Sequence, residues 1–277
     1  MRLAICNETF GEMPLEQAVD MAASLGYTGW EVAPFMLGRD ATAITAPQRR
    51  EYRRVVKQAG LEIIGLHWLL AKTEGYQLTS PDAATRRRTA AYFEELIRLC
   101  ADLCEDTAAP VMVLGSPQQR NRGPDVTPDM AYTYAAEVLG SLAPSLERTG
   151  VRIALEPLGP AEGNFLNTAA EARHLQGQIG SEWFGLHLDV KAMSTEPDAI
   201  PTVIRNNADW LIHFHANDPN RRGPGMGDVD FVPIIATLRE VGYDRWVSVE
   251  VFDYEPGARR LAEESIRTLQ QALSATA

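Results

Sequence analysis

Residues 184–218 read FGLHLDVKAMSTEPDAIPTVIRNNADWLIHFHAND, and their pattern decides the fold. Two short apolar runs, 184–190 and 210–215, flank a polar stretch with helical periodicity near 197–207. Such a unit is a strand, a crossover helix and a second, parallel strand. Side chains alternate along a strand, so Gly185, His187 and Asp189 share one face, while Phe184, Leu186 and Leu188 share the other. In the second run Leu211, His213 and His215 are expected to face the same way, with Ile212 and Phe214 opposite. Each run closes on a polar residue, Asp189 in one and His215 in the other.

Outward from this unit the same alternation recurs about eight times. Strands are expected at 3–6, 29–33, 62–67, 111–115, 152–156, 184–190, 210–215 and 246–251. Helical patterns lie near 15–25, 47–59, 82–105, 128–148, 168–178, 197–207, 231–241 and 257–274. Helix-start signals support several of them: Ser80 before Pro81, Thr127 before Pro128, and Thr168 with Glu171 three residues later. Eight strands alternating with eight helices fit a closed α/β (β/α)8 barrel, for which about 250 residues is usual. A doubly wound sheet would place a glycine fingerprint after the first strand, and that segment reads CNETFGEM. Only one loop, Pro224 to Gly227, is rich in turn residues, and no linker divides the chain, so residues 1–277 are read as one domain.

Composition narrows the partners. The formal charge of −11 repels polyanions and gives no electrostatic reason to bind nucleic acid or an anionic membrane. Small molecules are the expected partners, and the composition leaves room for a homo-oligomer. Three cysteines make no disulfide framework and point to a reducing, cytoplasmic setting. The N-terminus MRLAICNETF carries no cleavage signal, and no apolar stretch approaches the roughly 18 residues of a membrane span.

In a (β/α)8 barrel the chemistry gathers at the C-terminal ends of the strands. Four successive strands here end in VRIALE, FGLHLD, LIHFH and WVSVE, which supply Glu156, Asp189, His215 and Glu250. By strand alternation all four face the barrel axis, so they can converge. Three carboxylates brought together in a low dielectric repel unless a cation sits among them. Three oxygen donors and one imidazole suit one divalent ion, Mn²⁺ before Mg²⁺, Co²⁺ or Zn²⁺. Four isolated strand-end residues are the competing reading, but burying so much acid stabilises nothing by itself.

With these residues in place, the chain resembles the xylose-isomerase-like TIM barrel superfamily of sugar isomerases and epimerases, and within it the tagatose and psicose type of ketose 3-epimerase. The resemblance rests on the order and spacing of Glu156, Asp189, His215 and Glu250, on the EGNFLNT run at 162–168, and on HFHANDPNRRGPGMGDVDF at 213–231. It implies a metal-dependent isomerase that shifts a proton beside a carbonyl through an enediolate. Glu156 and Glu250 would be the acid and base as well as ligands, and Asp189 and His215 ligands only. Glu162 and Arg221 would orient substrate hydroxyls. One departure stands out: the ketose epimerases carry a substrate-contacting histidine three residues after the strand-six aspartate, and this chain has Ala192. Glu31, His67 and Trp68 are expected to rebuild that wall, with Trp68 stacking on a sugar ring, and Lys191 to contact substrate.

The remaining reactive residues divide between functional and structural readings. His67 is weighed equally as a substrate contact and as a structural histidine, and His187 and His213 lie one layer below the ligands. His174 reads as a surface residue. Cys100 and Cys104 share a helical face and read as buried, while Cys6 is expected at the pocket. Glycines 223, 225 and 227 mark a loop that approaches the ligand or hinges over it. The same enolisation would also serve a lyase or dehydratase acting on a 3-keto sugar or inosose, including cleavage of a C-glycoside. A phosphodiesterase of the AP-endonuclease type would need more histidines than the five present.

Overall fold

A computed structural model of the chain describes residues 1–38 and 40–277. The strands are β1 (Arg2–Cys6), β2 (Gly29–Val32), β3 (Glu62–Leu66), β4 (Val111–Leu114), β5 (Arg152–Leu155), β6 (Phe184–Asp189), β7 (Leu211–Ala216) and β8 (Trp246–Val249). Each pairs in parallel with its sequence neighbours, and β8 pairs with β1, so the sheet closes into the expected (β/α)8 barrel. Around it lie α1 (Leu15–Leu25), α2 (Ala46–Gln58), α3 (Ala83–Leu103), α4 (Pro128–Gly140), α5 (Ala143–Thr149) and α6 (Ala169–Ile179). The circuit ends with α7 (Val190–Met193), α8 (Ile200–Asn206), α9 (Phe231–Glu240) and α10 (Ala258–Ala275). No helix among the described residues is long and apolar enough to cross a membrane.

Local signals explain most helix boundaries. The Thr127 hydroxyl accepts from the Met130 amide at 3.3 Å, with Pro128 at the first helical position of α4. Thr168 accepts from the Glu171 amide at 3.2 Å and opens α6. Two expectations need correction. The pattern over 128–148 forms two helices, because Pro144 has no N–H to offer the turn before it and its ring crowds the carbonyl of Gly140. The cap of α3 is Asp82, whose carboxylate accepts from the Ala84 and Thr85 amides, rather than Ser80.

Apolar residues on the outer face of the sheet pack against the helices and form the main core. Each fully buried Val, Leu, Ile or Phe there contributes about 1.5–3 kcal/mol. Inside the barrel, Ala4, Ile64 and Trp246 form one small cluster, and Val111, Val113, Ala154 and Ile212 another. Strand β7 departs from simple alternation. The β6–β7 register slips between Leu186 and His187, leaving Ile212 as an extra residue. Ile212 therefore turns inward against Gly185, and Leu211, expected inside, joins the outer core. A second slip in the β2–β3 pairing sets Gly65 opposite Glu31. A Cβ at Gly65 would lie 2.0 Å from the Val111 carbonyl oxygen, so only glycine lets β3 and β4 approach there.

Candidate metal and active site

The four strand-end residues do gather. Glu156, Asp189, His215 and Glu250 are all buried, each at 5% exposure or less. Donor atoms of Glu156, Asp189 and His215 lie within 4.8 Å of one another together with a donor of His187, a group that could hold a metal ion. Glu250 meets this group through its Oε2, 3.0 Å from His215 Nδ1, and also falls in a neighbouring group with Glu8 and His67.

Electrostatics separates the carboxylates. Burial, then the charges of Glu250 and Asp189, hold Glu156 well above the usual carboxylate range. Asp189 is pushed up to about 6 by burial and then by Glu250. Burial also works against ionised Glu250, but the His215 imidazole, His67 and the Trp68 hydrogen bond outweigh it and keep Glu250 below its ordinary value. Crowded acid of this kind asks for a cation, and the O and N donors present suit a divalent one.

Below these residues lies a polar layer that holds His187 and His213, where strand alternation put them, and Glu31, which was expected higher. Glu31 is 1% exposed, and its Oε2 is 2.9 Å from His213 Nε2 and 3.1 Å from His215 Nε2. Burial opposes its charge, yet the two imidazoles hold it well below the carboxylate range. Burial opposes a charge on His215, but Glu31 and then Glu250 raise its imidazole well above the ordinary range, so Nε2–H donates to Glu31 and Nδ1–H to Glu250; a bound ion would take the place of one of these protons. Glu31 was expected at the substrate wall, whereas it buttresses a histidine from beneath. Cys6 was expected there too. It is fully buried, 3.6 Å from Ser248 Oγ and 3.9 Å from His215 Nε2, and burial pushes its thiol up to about 11.

Above the layer opens a cavity of about 370 Å³ with Glu156 and Glu250 in its wall. Trp68 also lines it, stacked on Phe252 with centroids 6.0 Å apart, and its indole N–H donates to Glu250 Oε1 at 2.5 Å. Trp68 has φ of 51°, a left-handed conformation that a bulky residue rarely adopts. His67 stands behind it, fully buried, with Nε2 2.8 Å from Glu8 Oε2. Glu162 lines the cavity as well, and its carboxylate accepts from Lys191 Nζ at 2.6 Å. Lys191 in turn lies over the Phe252 ring, 4.8 Å from its centroid. Ala192 contributes its backbone amide to Asp189 Oδ1 at 2.8 Å and no polar side chain.

Other expected residues sit elsewhere. Arg221 lies on an exposed turn outside the cavity lining, with φ of 73°, and its carbonyl accepts from the Phe252 and Asp253 amides. The glycines at 223–227 do not form a free lid. A Cβ at Gly223 would meet Ser265 Oγ at 1.9 Å, and one at Gly225 would meet Thr268 Oγ1 at 2.1 Å, so this loop is packed down on α10. His174 is exposed, and Cys100 and Cys104 are buried free thiols, as their positions on helices implied.

Two further residues fix Glu156. Arg120, 1% exposed, donates to the carbonyls of Leu114 and Glu156, tying the ends of β4 and β5 together. At the end of β4, a Cβ on Gly115 would come within 1.6 Å of Glu156 Oε2. Asn217, the second residue after His215, donates its amide to Asp189 Oδ2. Position after a strand was the signal available for Gly115 and Asn217; nothing local marked Arg120.

Similarity to known proteins agrees with the barrel fold. The D-psicose 3-epimerase of Agrobacterium fabrum is 27% identical over 236 residues, 84% of this chain and 78% of that one. The D-psicose 3-epimerase of Clostridium cellulolyticum H10, solved with D-tagatose, superposes with a TM-score of 0.82 at 22% identity over 100% and 99% of the two chains. The 3-keto-D-glucoside 4-epimerase of E. coli gives a TM-score of 0.83 at 20% identity over 98% and 99%. Residues 19–272 match the family described as xylose isomerase-like TIM barrel, and the chain belongs to that family.

Proposed function

We propose that this chain, acting as one domain over residues 1–277, is a metal-dependent sugar epimerase or isomerase with Glu156 and Glu250 as its acid and base. One observation carries the reading: these two carboxylates, three strands apart around the barrel, face the same cavity beside a cluster of metal-type donors. Approaching from different sides, one takes a proton from the carbon next to a carbonyl and the other returns a proton to the opposite face. Trp68 keeps Glu250 ionised and aimed, while Arg120 and Gly115 hold Glu156 in reach. Glu162 and Lys191 present a hydrogen-bonding pair to sugar hydroxyls, and Trp68 with Phe252 offers an apolar wall to a ring.

Glu156, Asp189, His215 and Glu250 would hold one ion, for which Mn²⁺ suits the oxygen-rich set. The ion supplies Lewis-acid stabilisation of the enolate-like charge that develops on the substrate. Relatives named as D-psicose, L-ribulose and fructoselysine 3-epimerases support a sugar or sugar derivative as substrate. Free, buried cysteines fit a reducing cytoplasm.

Incubation of the Mn²⁺-loaded protein with ketoses and 3-keto sugars in D2O tests this reading. The expected result is deuterium at one carbon with interconversion of two epimers or isomers. Loss of water or of an aglycone would instead assign the chain to the lyases, and no exchange with any sugar would overturn the proposal.

A further inference from the structure

His187 precedes Asp189 by two residues on β6, so its side chain also turns into the barrel. It is completely buried, and neither ring nitrogen has a hydrogen-bond partner. Leaving one buried polar group unsatisfied costs about 1–3 kcal/mol, and few native groups are left so. The imidazole is not far from partners. Its Nε2 stands 3.7 Å from Glu156 Oε1, and its ring centroid is 4.1 Å from that of His215. With Glu156, Asp189 and His215 it forms the one four-residue group of metal-type donors among the described residues, all four atoms lying within 4.8 Å of one another. Donors bound to one ion at about 2.0–2.2 Å stand roughly 3–4 Å apart, so this group has the dimensions of a coordination shell. His213 satisfies its Nε2 against Glu31, which leaves His187 as the imidazole in the layer with both nitrogens free.

We propose that His187 is an additional ligand of the metal ion, joining Glu156, Asp189 and His215 from the barrel side. This rests on the metal-dependent reading above and adds a second imidazole to its donor set. Two nitrogens beside the carboxylates favour Co²⁺, Mn²⁺ or Zn²⁺ over Mg²⁺, which takes oxygen ligands and keeps its waters. With His187 in the donor set, β6 would supply two of the residues that hold the ion, His187 and Asp189, while Glu250, bonded to Trp68 and His215, also lines the cavity.

Pulsed electron–nuclear spectroscopy of the full-length protein loaded with Mn²⁺ counts coordinated imidazole nitrogens directly. Two are expected in the native chain and one in His187→Leu, whose side chain fills the same space, with Co²⁺ binding weakened about 100-fold or more. Should that variant not fold, the count in the native chain decides alone. A single nitrogen in the native chain, with deuterium exchange into sugar intact, overturns the ligand assignment and makes His187 a hydrogen-bond partner of Glu156, direct or through water. Failure to bind any divalent ion would overturn the metal-dependent reading itself.

Discussion

The indole of Trp68 donates to one oxygen of Glu250 at 2.5 Å while the other oxygen lies 3.0 Å from His215, so residues at the C-terminal ends of β3, β7 and β8 meet at one carboxylate in the cavity wall. Trp68 adopts a left-handed backbone conformation to make that bond. Conformations of this sort cost of order 1–3 kcal/mol and concentrate at functional sites. Trp68→Phe keeps an aromatic ring facing Phe252 and removes the N–H together with one ring of the indole. A fall in kcat of about 10- to 100-fold is expected, and because one hydrogen bond to a charged group is worth about 1.5–3 kcal/mol the unfolding temperature should fall by several degrees as well. An unchanged kcat would show that the bond does not aim the base.

Replacing either acid or base by its amide leaves size and packing nearly intact. Glu156→Gln and Glu250→Gln should each lower deuterium exchange at the substrate carbon by about 10²- to 10⁴-fold. Exchange followed by NMR in D2O provides the measurement, and near-native exchange in the double variant would refute the acid and base assignment.

Glu31 touches no part of the cavity, yet it is bonded to His213 and His215. Glu31→Gln should weaken Mn²⁺ or Co²⁺ binding about 10- to 100-fold, because the carboxylate that orders the ligating imidazole is gone. Calorimetric titration of the metal-free protein reads this directly. Affinity equal to that of the native chain would leave Glu31 a structural residue only.

Gly115 gives Glu156 its room. Gly115→Ala would set a methyl 1.6 Å from Glu156 Oε2 and push that side chain out of line. Displacement of about 1 Å is enough for a loss near 10²-fold in kcat/KM. The check is steady-state kinetics beside a melting curve, and native kinetics would mean that Glu156 has another place to go.

Asp189 gives the metal-free protein a definite pH response. Its carboxyl is pushed from 3.8 up to about 6 by burial and Glu250. Below about 4 both folded and unfolded chains hold that proton, and the shift costs nothing. Between about 4 and 6 the unfolded chain has lost a proton that the folded one keeps, so stability falls as pH rises, by about 3 kcal/mol in all. A bound cation removes this cost. The rise in Tm on adding Mn²⁺ should therefore begin to grow in that window and go on growing above it, because Glu156, also held well above its ordinary value, must give up its proton to the ion as well; a rise that shrinks with pH would contradict the assignment.

The parts of this site that were legible in the sequence follow from periodicity. Alternation along β5, β6 and β8 was enough to turn Glu156, Asp189 and Glu250 inward, and parallel closure then left them nowhere else to converge. Helix boundaries marked by Thr127 and Thr168 were equally readable, since a cap acts over three residues. Register slips were not readable. The extra residue Ile212 reversed the bottom of β7, because a bulge is set by how two strands meet and leaves no mark in either alone.

The sequence by itself determined the barrel, its eight strands and the four polar residues that crown its second half, because burial of alternating apolar faces is a local, periodic demand. Tertiary structure decided what stands around them. Glu31 lies under His215, Glu8 against His67, Arg120 across the ends of β4 and β5, and His187 without a partner beside Glu156. Those relationships join residues far apart in the chain, and their chemistry depends on distances of a few ångströms and on exclusion of water. Both are properties of the closed barrel and of no segment within it.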